Sequence, residues 1–216
     1  MPRQVAIGIQ DFEQLRVNQC FYVDKTAFIR EWWDGQDAVT LIIRPRRFGK
    51  TITMNMLNSF FSIKYAGRGD LFEGLDIWKE ERFRNLQGAY PVIFMTFAGV
   101  KGKSYEDTVK GIKLQIVNLF SDYFYLMDYD GFDDNQKQLF KDINSDMDDV
   151  HAAYSLNLLS KLLEKYHGKK VLIFLDEYDT PLQEAYIQGY WDEMTAFIRI
   201  MFNNTFKTNP SMERAV

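Results

Sequence analysis

Cysteine, histidine and proline are scarce in this chain: one, two and five among 216 residues. A single cysteine, Cys20, excludes an internal disulfide and fits a reducing, cytoplasmic setting. The two histidines, His151 and His167, have no metal-ligand spacing, so a histidine-cysteine metal site is excluded and both read as surface residues. Met1-Pro2-Arg3-Gln4 lacks the apolar stretch of a signal peptide, and no apolar run approaches membrane-spanning length. Positive charge is also short. Lys and Arg number 26 against 30 Asp and Glu, a net charge of −4 that disfavours a broad basic face and, with it, direct nucleic-acid binding by this segment. Internal repeats and low-complexity linkers are missing. The length suits one domain, or one domain plus a fragment of another, with an ample core.

Against that background one stretch carries chemistry. The apolar run Val39-Thr40-Leu41-Ile42-Ile43 reads as a strand, and it leads into Arg44-Pro45-Arg46-Arg47-Phe48-Gly49-Lys50-Thr51 and then a helical pattern. Strand, Gly-Lys-Thr turn and helix is an arrangement that holds the phosphates of a nucleoside triphosphate. Backbone N–H groups of the turn and of the new helix converge on the anion, and the helix dipole adds to the attraction. Gly49 allows close backbone approach, Lys50 reaches the outer phosphates, and the Thr51 hydroxyl is a Mg²⁺ ligand. The general pattern has glycine at its first position, where this chain has Arg44.

A second half lies far downstream in Val171-Leu172-Ile173-Phe174-Leu175-Asp176-Glu177. Five consecutive apolar residues read as a strand buried on both faces of a parallel sheet. The two carboxylates fall at its carboxyl end, where open α/β sheets place ligands. Asp176 is expected to serve Mg²⁺ and Glu177 to polarise the attacking water. An acidic helix cap after a strand is the bland alternative.

Between and around these motifs, apolar spacing outlines the elements. Asp11 and Gln14 start a short helix through Arg16, and Phe21 to Val23 is a brief β-like run. Thr26 caps a helix from Ala27 to Trp33. The helix after the loop runs from Lys50 to about Tyr65, with Met54, Leu57 and Phe61 inward. Pro91 to Phe97 reads as a buried strand, and Ser104 caps a long helix with Val109, Ile112, Ile116, Leu119, Phe120 and Tyr123 on one face. Residues 128–149 are rich in Asp and Asn, but a calcium loop fails because glycine is misplaced after Asp128 and Asp130 and the twelfth position is Leu139. A helical stripe from Leu156 to Tyr166 stops at Gly168. After the carboxylate-bearing strand come a Pro181 turn and a last helix, with Trp191, Met194, Ile198 and Phe202 inward. Strands alternating with helices make the fold class α/β with a parallel β-sheet flanked by helices.

Three passages together resemble the bacterial AAA-ATPase-like family: Phe21-Tyr22-Val23-Asp24-Lys25-Thr26, Arg44 to Thr51, and Leu175-Asp176-Glu177-Tyr178-Asp179. The resemblance implies a P-loop NTPase domain, with 1–36 as an N-terminal segment and 37–216 as the nucleotide-binding core. In that family the first loop position is commonly not glycine, so Arg44 departs only from the general pattern. Carried over, Arg46, Arg47, Phe48, Gly49, Lys50 and Thr51 wrap the phosphates of ATP, Thr51 and Asp176 hold Mg²⁺, and Glu177 with Lys50 is catalytic. Arg46 and Arg47 either neutralise charge on the γ-phosphate or position the loop. Tyr22 and Lys25 fall where related ATPases contact the adenine, or else their segment packs the N-terminal helix on the sheet edge. Family members often carry a C-terminal nuclease-like domain, which nothing in 1–216 resembles.

These readings converge on a Mg²⁺-dependent ATPase module that couples nucleotide state to an attached domain or partner. A non-hydrolysing nucleotide switch or scaffold is the alternative, and a P-loop kinase a lesser one; oligomerisation is compatible with each. Related ATPases place a further strand next in sequence after the Asp-Glu strand. Here the helix ending near Phe206 leads through Pro210 and Glu213 to Arg214-Ala215-Val216. The domain is therefore expected to be C-terminally incomplete, with this additional catalytic strand missing, leaving buried-type strands with unpaired edges. Low stability, self-association and little hydrolysis follow for 1–216 alone.

Overall fold

The computed structural model describes residues 8–43 and 48–216. The chain divides into two compact units, Met1–Val92 with Val216, and Ile93–Ala215.

The first unit is helical and aromatic. Helix α1 (Phe12–Val17) starts where the Asp11 carboxylate accepts the Gln14 N–H at 2.9 Å, the cap expected from sequence. Its buried Phe12 stacks on Phe72 and meets Tyr22 edge-on. Helix α2 (Ala27–Gly35) brings Trp32 and Trp33 against Phe61 of α3 (Lys50–Phe61). Met54, Met56, Leu57, Phe60 and Phe61 of α3 are all buried. The helix ends at Phe61 rather than near Tyr65, because Ser62 turns extended and pairs in parallel with Tyr90. Short 3₁₀ turns and α4 (Glu81–Arg84) complete the unit.

Two strand expectations fail here. Phe21–Val23 forms no strand, and both Phe21 and Val23 are exposed. Of the run before the loop, Val39 alone enters a bridge, while Leu41 is 57 % and Ile43 84 % exposed. An apolar run becomes a strand only where a ladder partner lies in register, and propensity cannot supply that partner.

The second unit holds a small parallel three-stranded sheet flanked by helices. Strand β1 (Val92–Thr96) leads to α5 (Tyr105–Ser121), capped by Ser104, whose hydroxyl accepts the Asp107 N–H at 3.2 Å. Helix α6 (Asp134–Lys141) interrupts the acidic connection, and α7 (Asp149–His167) ends at Gly168, which takes the left-handed conformation (φ 65°). Strand β2 (Val171–Asp176) is buried along its whole length. Pro181 does not form a separate turn. It sits in the first turn of α8 (Thr180–Gln188), where a missing N–H costs nothing. Helix α9 (Trp191–Phe202) buries Met194 and Ile198, whereas Trp191 is exposed. One continuous core joins Ile93, Met95, Ile112, Ile116, Leu156, Leu159, Ile173, Met194 and Met201.

The strand expected to be missing is present. Strand β3 (Met212–Ala215) runs parallel to β2, with Val171 opposite Met212 and Ile173 opposite Ala215. Sheet order is β1-β2-β3, so the Asp-Glu strand has a neighbour on each side instead of an open edge. The approach to β3 is tied down by Asn209, whose amide donates to Ser160 Oγ at 3.0 Å and to the Thr205 carbonyl at 3.1 Å. Its side-chain oxygen accepts the Ser211 N–H, and the Ser211 carbonyl accepts from Val171 at 2.8 Å. Met-Glu-Arg-Ala carries little strand propensity, so this pairing is made by tertiary contact.

Candidate functional site

In the first unit, α3 opens directly from the glycine of the loop. Gly49 is left-handed (φ 76°, ψ 31°) and, lacking a side chain, offers no cap. Its carbonyl accepts both the Thr53 N–H at 3.0 Å and the Thr53 hydroxyl at 2.8 Å, which pins the loop to the second turn of the helix. The N–H groups of Gly49, Lys50, Thr51 and Ile52 precede the first intrahelical bond and lack helical acceptors. No acidic residue stands in that first turn. Lys50 and Thr51 are half-buried there, and Phe48 is exposed. The positive end of the helix dipole lies at this turn, and Lys50 is its first helical residue.

Lys25 reaches the same loop. Its ammonium donates to the Phe48 carbonyl at 3.2 Å, and a Cβ placed on Gly49 would lie 2.8 Å from Lys25 Nζ. The lysine tip is flexible enough to move from a Cβ, so glycine is favoured at position 49 by its left-handed backbone (φ 76°) rather than by this contact. Tyr22 points elsewhere. Its hydroxyl donates to Met56 Sδ on α3 at 3.3 Å, and burial pushes its pKa up to about 12. Tyr22 is thus held against α3. Arg46 and Arg47 lie outside the described residues.

Asp176 and Glu177 belong to the second unit, at the carboxyl end of β2. Asp176 is 4 % exposed, and its carbonyl accepts the Phe97 N–H at 2.9 Å, extending the pairing past the end of β1. Glu177 is exposed and adopts a left-handed backbone (φ 51°), uncommon for a residue with a side chain. The turn closes when the Glu177 carbonyl accepts the Thr180 N–H at 3.0 Å. Backbone strain of this kind persists where surrounding structure over-determines it, and it clusters at functional positions. Sequence reasoning had no signal for this conformation.

The family model described as Predicted AAA-ATPase matches residues 6–216. The chain belongs to that family. The family is the one that the three sequence passages resemble. A curated relative, an uncharacterized protein in the vnfD 5' region of Azotobacter chroococcum mcd 1, is 26% identical over 184 residues. The match covers 83% of this chain and 30% of the relative, so the chain spans less than a third of that protein's length. No solved structure matches the chain significantly.

Other features of this AAA-ATPase-family chain are structural. Tyr178 packs edge-on against Phe202, and Asp179 accepts from the Gln183 amide at 2.6 Å, so both tie the turn after β2 into α8 and α9. Arg199 is exposed on α9. Among the described residues no group of three or more His, Cys, Asp or Glu forms a metal cage, and no helix is long and apolar enough to cross a membrane. Thr51 in the first unit carries a hydroxyl and Asp176 in the second a carboxylate, each an oxygen donor of the type Mg²⁺ takes.

Proposed function

We propose that the chain is an ATP-binding, Mg²⁺-dependent ATPase module. The reading is carried by one observation: α3 begins at a left-handed glycine with no side-chain cap and presents Lys50 and Thr51 in its first turn. The left-handed backbone of Gly49 (φ 76°), which glycine adopts without strain, supports it. In this reading Lys50 binds the outer phosphates, Gly49 and its neighbours donate backbone N–H groups, and Arg46, Arg47 and Phe48 complete the loop. Thr51 and Asp176 would hold Mg²⁺, whose contribution is to neutralise charge on the phosphates. Glu177 orients and deprotonates the attacking water.

The much greater length of the curated relative supports coupling of nucleotide state to an attached domain or partner. Phosphate release, phosphoryl transfer and nucleotide affinity, measured on one preparation, test the reading. Mg²⁺-dependent ATP binding with phosphate release is the expected result. Binding without release favours a switch, and transfer to an added acceptor favours a kinase.

A further inference from the structure

We propose that Lys25 is a further cation of the phosphate cradle, holding the Phe48 carbonyl and passing to a phosphate oxygen when nucleotide binds. The proposal rests on the nucleotide-binding reading of this loop and gives Lys25 a place on the phosphate side, away from the base.

Electrostatics supplies the first reason. The Lys25 ammonium lies against Gly49, at the positive end of α3, where a cation is unfavourable by itself. Lys50 adds a second positive charge within the same turn, and that turn contains no acidic residue to offset either. The nearest carboxylate in sequence, Asp24, is engaged by the Thr26 N–H, the Thr26 hydroxyl and the Asp76 N–H. Two ammonium groups and a helix dipole facing one turn are a stable arrangement once a polyanion sits among them.

Geometry supplies the second. The 3.2 Å contact from Lys25 to the Phe48 carbonyl is long for a charge-assisted hydrogen bond, so a phosphate oxygen is the better acceptor. Lys25 is also held in place from both sides. Tyr22 is anchored on Met56 of α3, and Thr26 is fully buried with its hydroxyl accepting the Ile77 N–H at 3.2 Å. The sequence Tyr22-Val23-Asp24-Lys25-Thr26 is thereby explained as a mount for the one long cation in its middle. Preorganisation of this sort lowers the ordering cost of binding.

Titrations of Mg-ATP, inorganic tripolyphosphate and adenosine against the 216-residue chain test the proposal. Lys25→Met, which keeps the apolar stem, is expected to weaken Mg-ATP and tripolyphosphate by about ten- to a hundredfold. Adenosine affinity should be unchanged and Lys25→Arg should recover part of the loss. Equal weakening of adenosine and ATP, or no weakening of tripolyphosphate by Lys25→Met, overturns it; if Lys25→Met does not fold, Lys25→Gln, which also removes the charge, is read against the same two outcomes. Lys50→Ala is the control for the underlying reading. Should Lys50→Ala weaken ATP while Lys25→Met leaves it intact, only the Lys25 role fails. If the parent chain binds neither ATP nor tripolyphosphate, both fall together.

Discussion

At the scale of single residues, Lys50 and Glu177 carry the sharpest expectations. Lys50→Ala removes a cation from the first turn of α3 but leaves the backbone donors in place, so Mg-ATP affinity should fall while the fold stands. A fluorescent ATP analogue reads this directly, and an unchanged dissociation constant would remove the loop from the site. Glu177→Gln is isosteric and should keep nucleotide affinity while slowing phosphate release by about 10² to 10⁴-fold. Glu177→Gly probes the backbone instead. Glycine accepts φ 51° without the Cβ conflict, worth about 1 kcal/mol, although it also adds entropy to the unfolded chain. Thermal stability should therefore match or exceed the parent's while phosphate release is lost. A fall of several degrees in melting temperature would show that the glutamate side chain contributes to folding.

Among elements, the segment before α2 is held mainly by Asp24. Burial draws its carboxyl pKa upward, but hydrogen bonds from the Thr26 hydroxyl and the Thr26 and Asp76 N–H groups, with help from Lys79, leave it below the ordinary carboxylate range. Asp24→Ala strands those donors and should cost about 1–3 kcal/mol in urea denaturation. The pH dependence has a definite sign. A carboxyl with a depressed folded-state pKa contributes fully above its unfolded value of about 3.9, and that contribution disappears as pH falls through the folded-state pKa. The stability difference between parent and Asp24→Asn should accordingly be constant near neutrality and shrink below about pH 4. A difference that grows in acid would assign the effect to other groups.

For the whole molecule, β2 is the organising strand of the second unit. It is buried along its length, flanked by β1 and β3, and Val171, Ile173 and Leu175 enter the continuous core. Native-state hydrogen exchange should find among the slowest amides of the chain in residues 171–175, since strands central to a core open only with global unfolding. Phe174→Ala should destabilise by about 3–5 kcal/mol, as a fully buried aromatic leaves a cavity behind. Exchange in β2 as fast as in α1 would contradict the paired, central position that replaces the open edge expected from sequence.

Features set by neighbours in the chain were legible from the sequence. Asp11 and Ser104 cap helices because their side-chain oxygens reach N–H groups three residues on, and Gly168 ends α7 because glycine tolerates positive φ. The five-residue apolar run before Asp176 is a strand buried throughout, and Gly49-Lys50-Thr51 opens a helix as the motif requires. Tertiary structure decided whatever depends on a distant partner. Val39–Ile43 has the composition of a strand without becoming one, while Met212–Ala215 lacks that composition and pairs with β2. Lys25 turns to Phe48 because Asp24, Thr26 and Tyr22 are fastened to segments remote in sequence. Glu177 takes its left-handed backbone in the turn that closes from β2 into α8. Capping, helix arrest and apolar runs act through bonds within a few residues, so sequence specifies them; ladder partners and side-chain destinations are chosen only when separate segments compete for the same space.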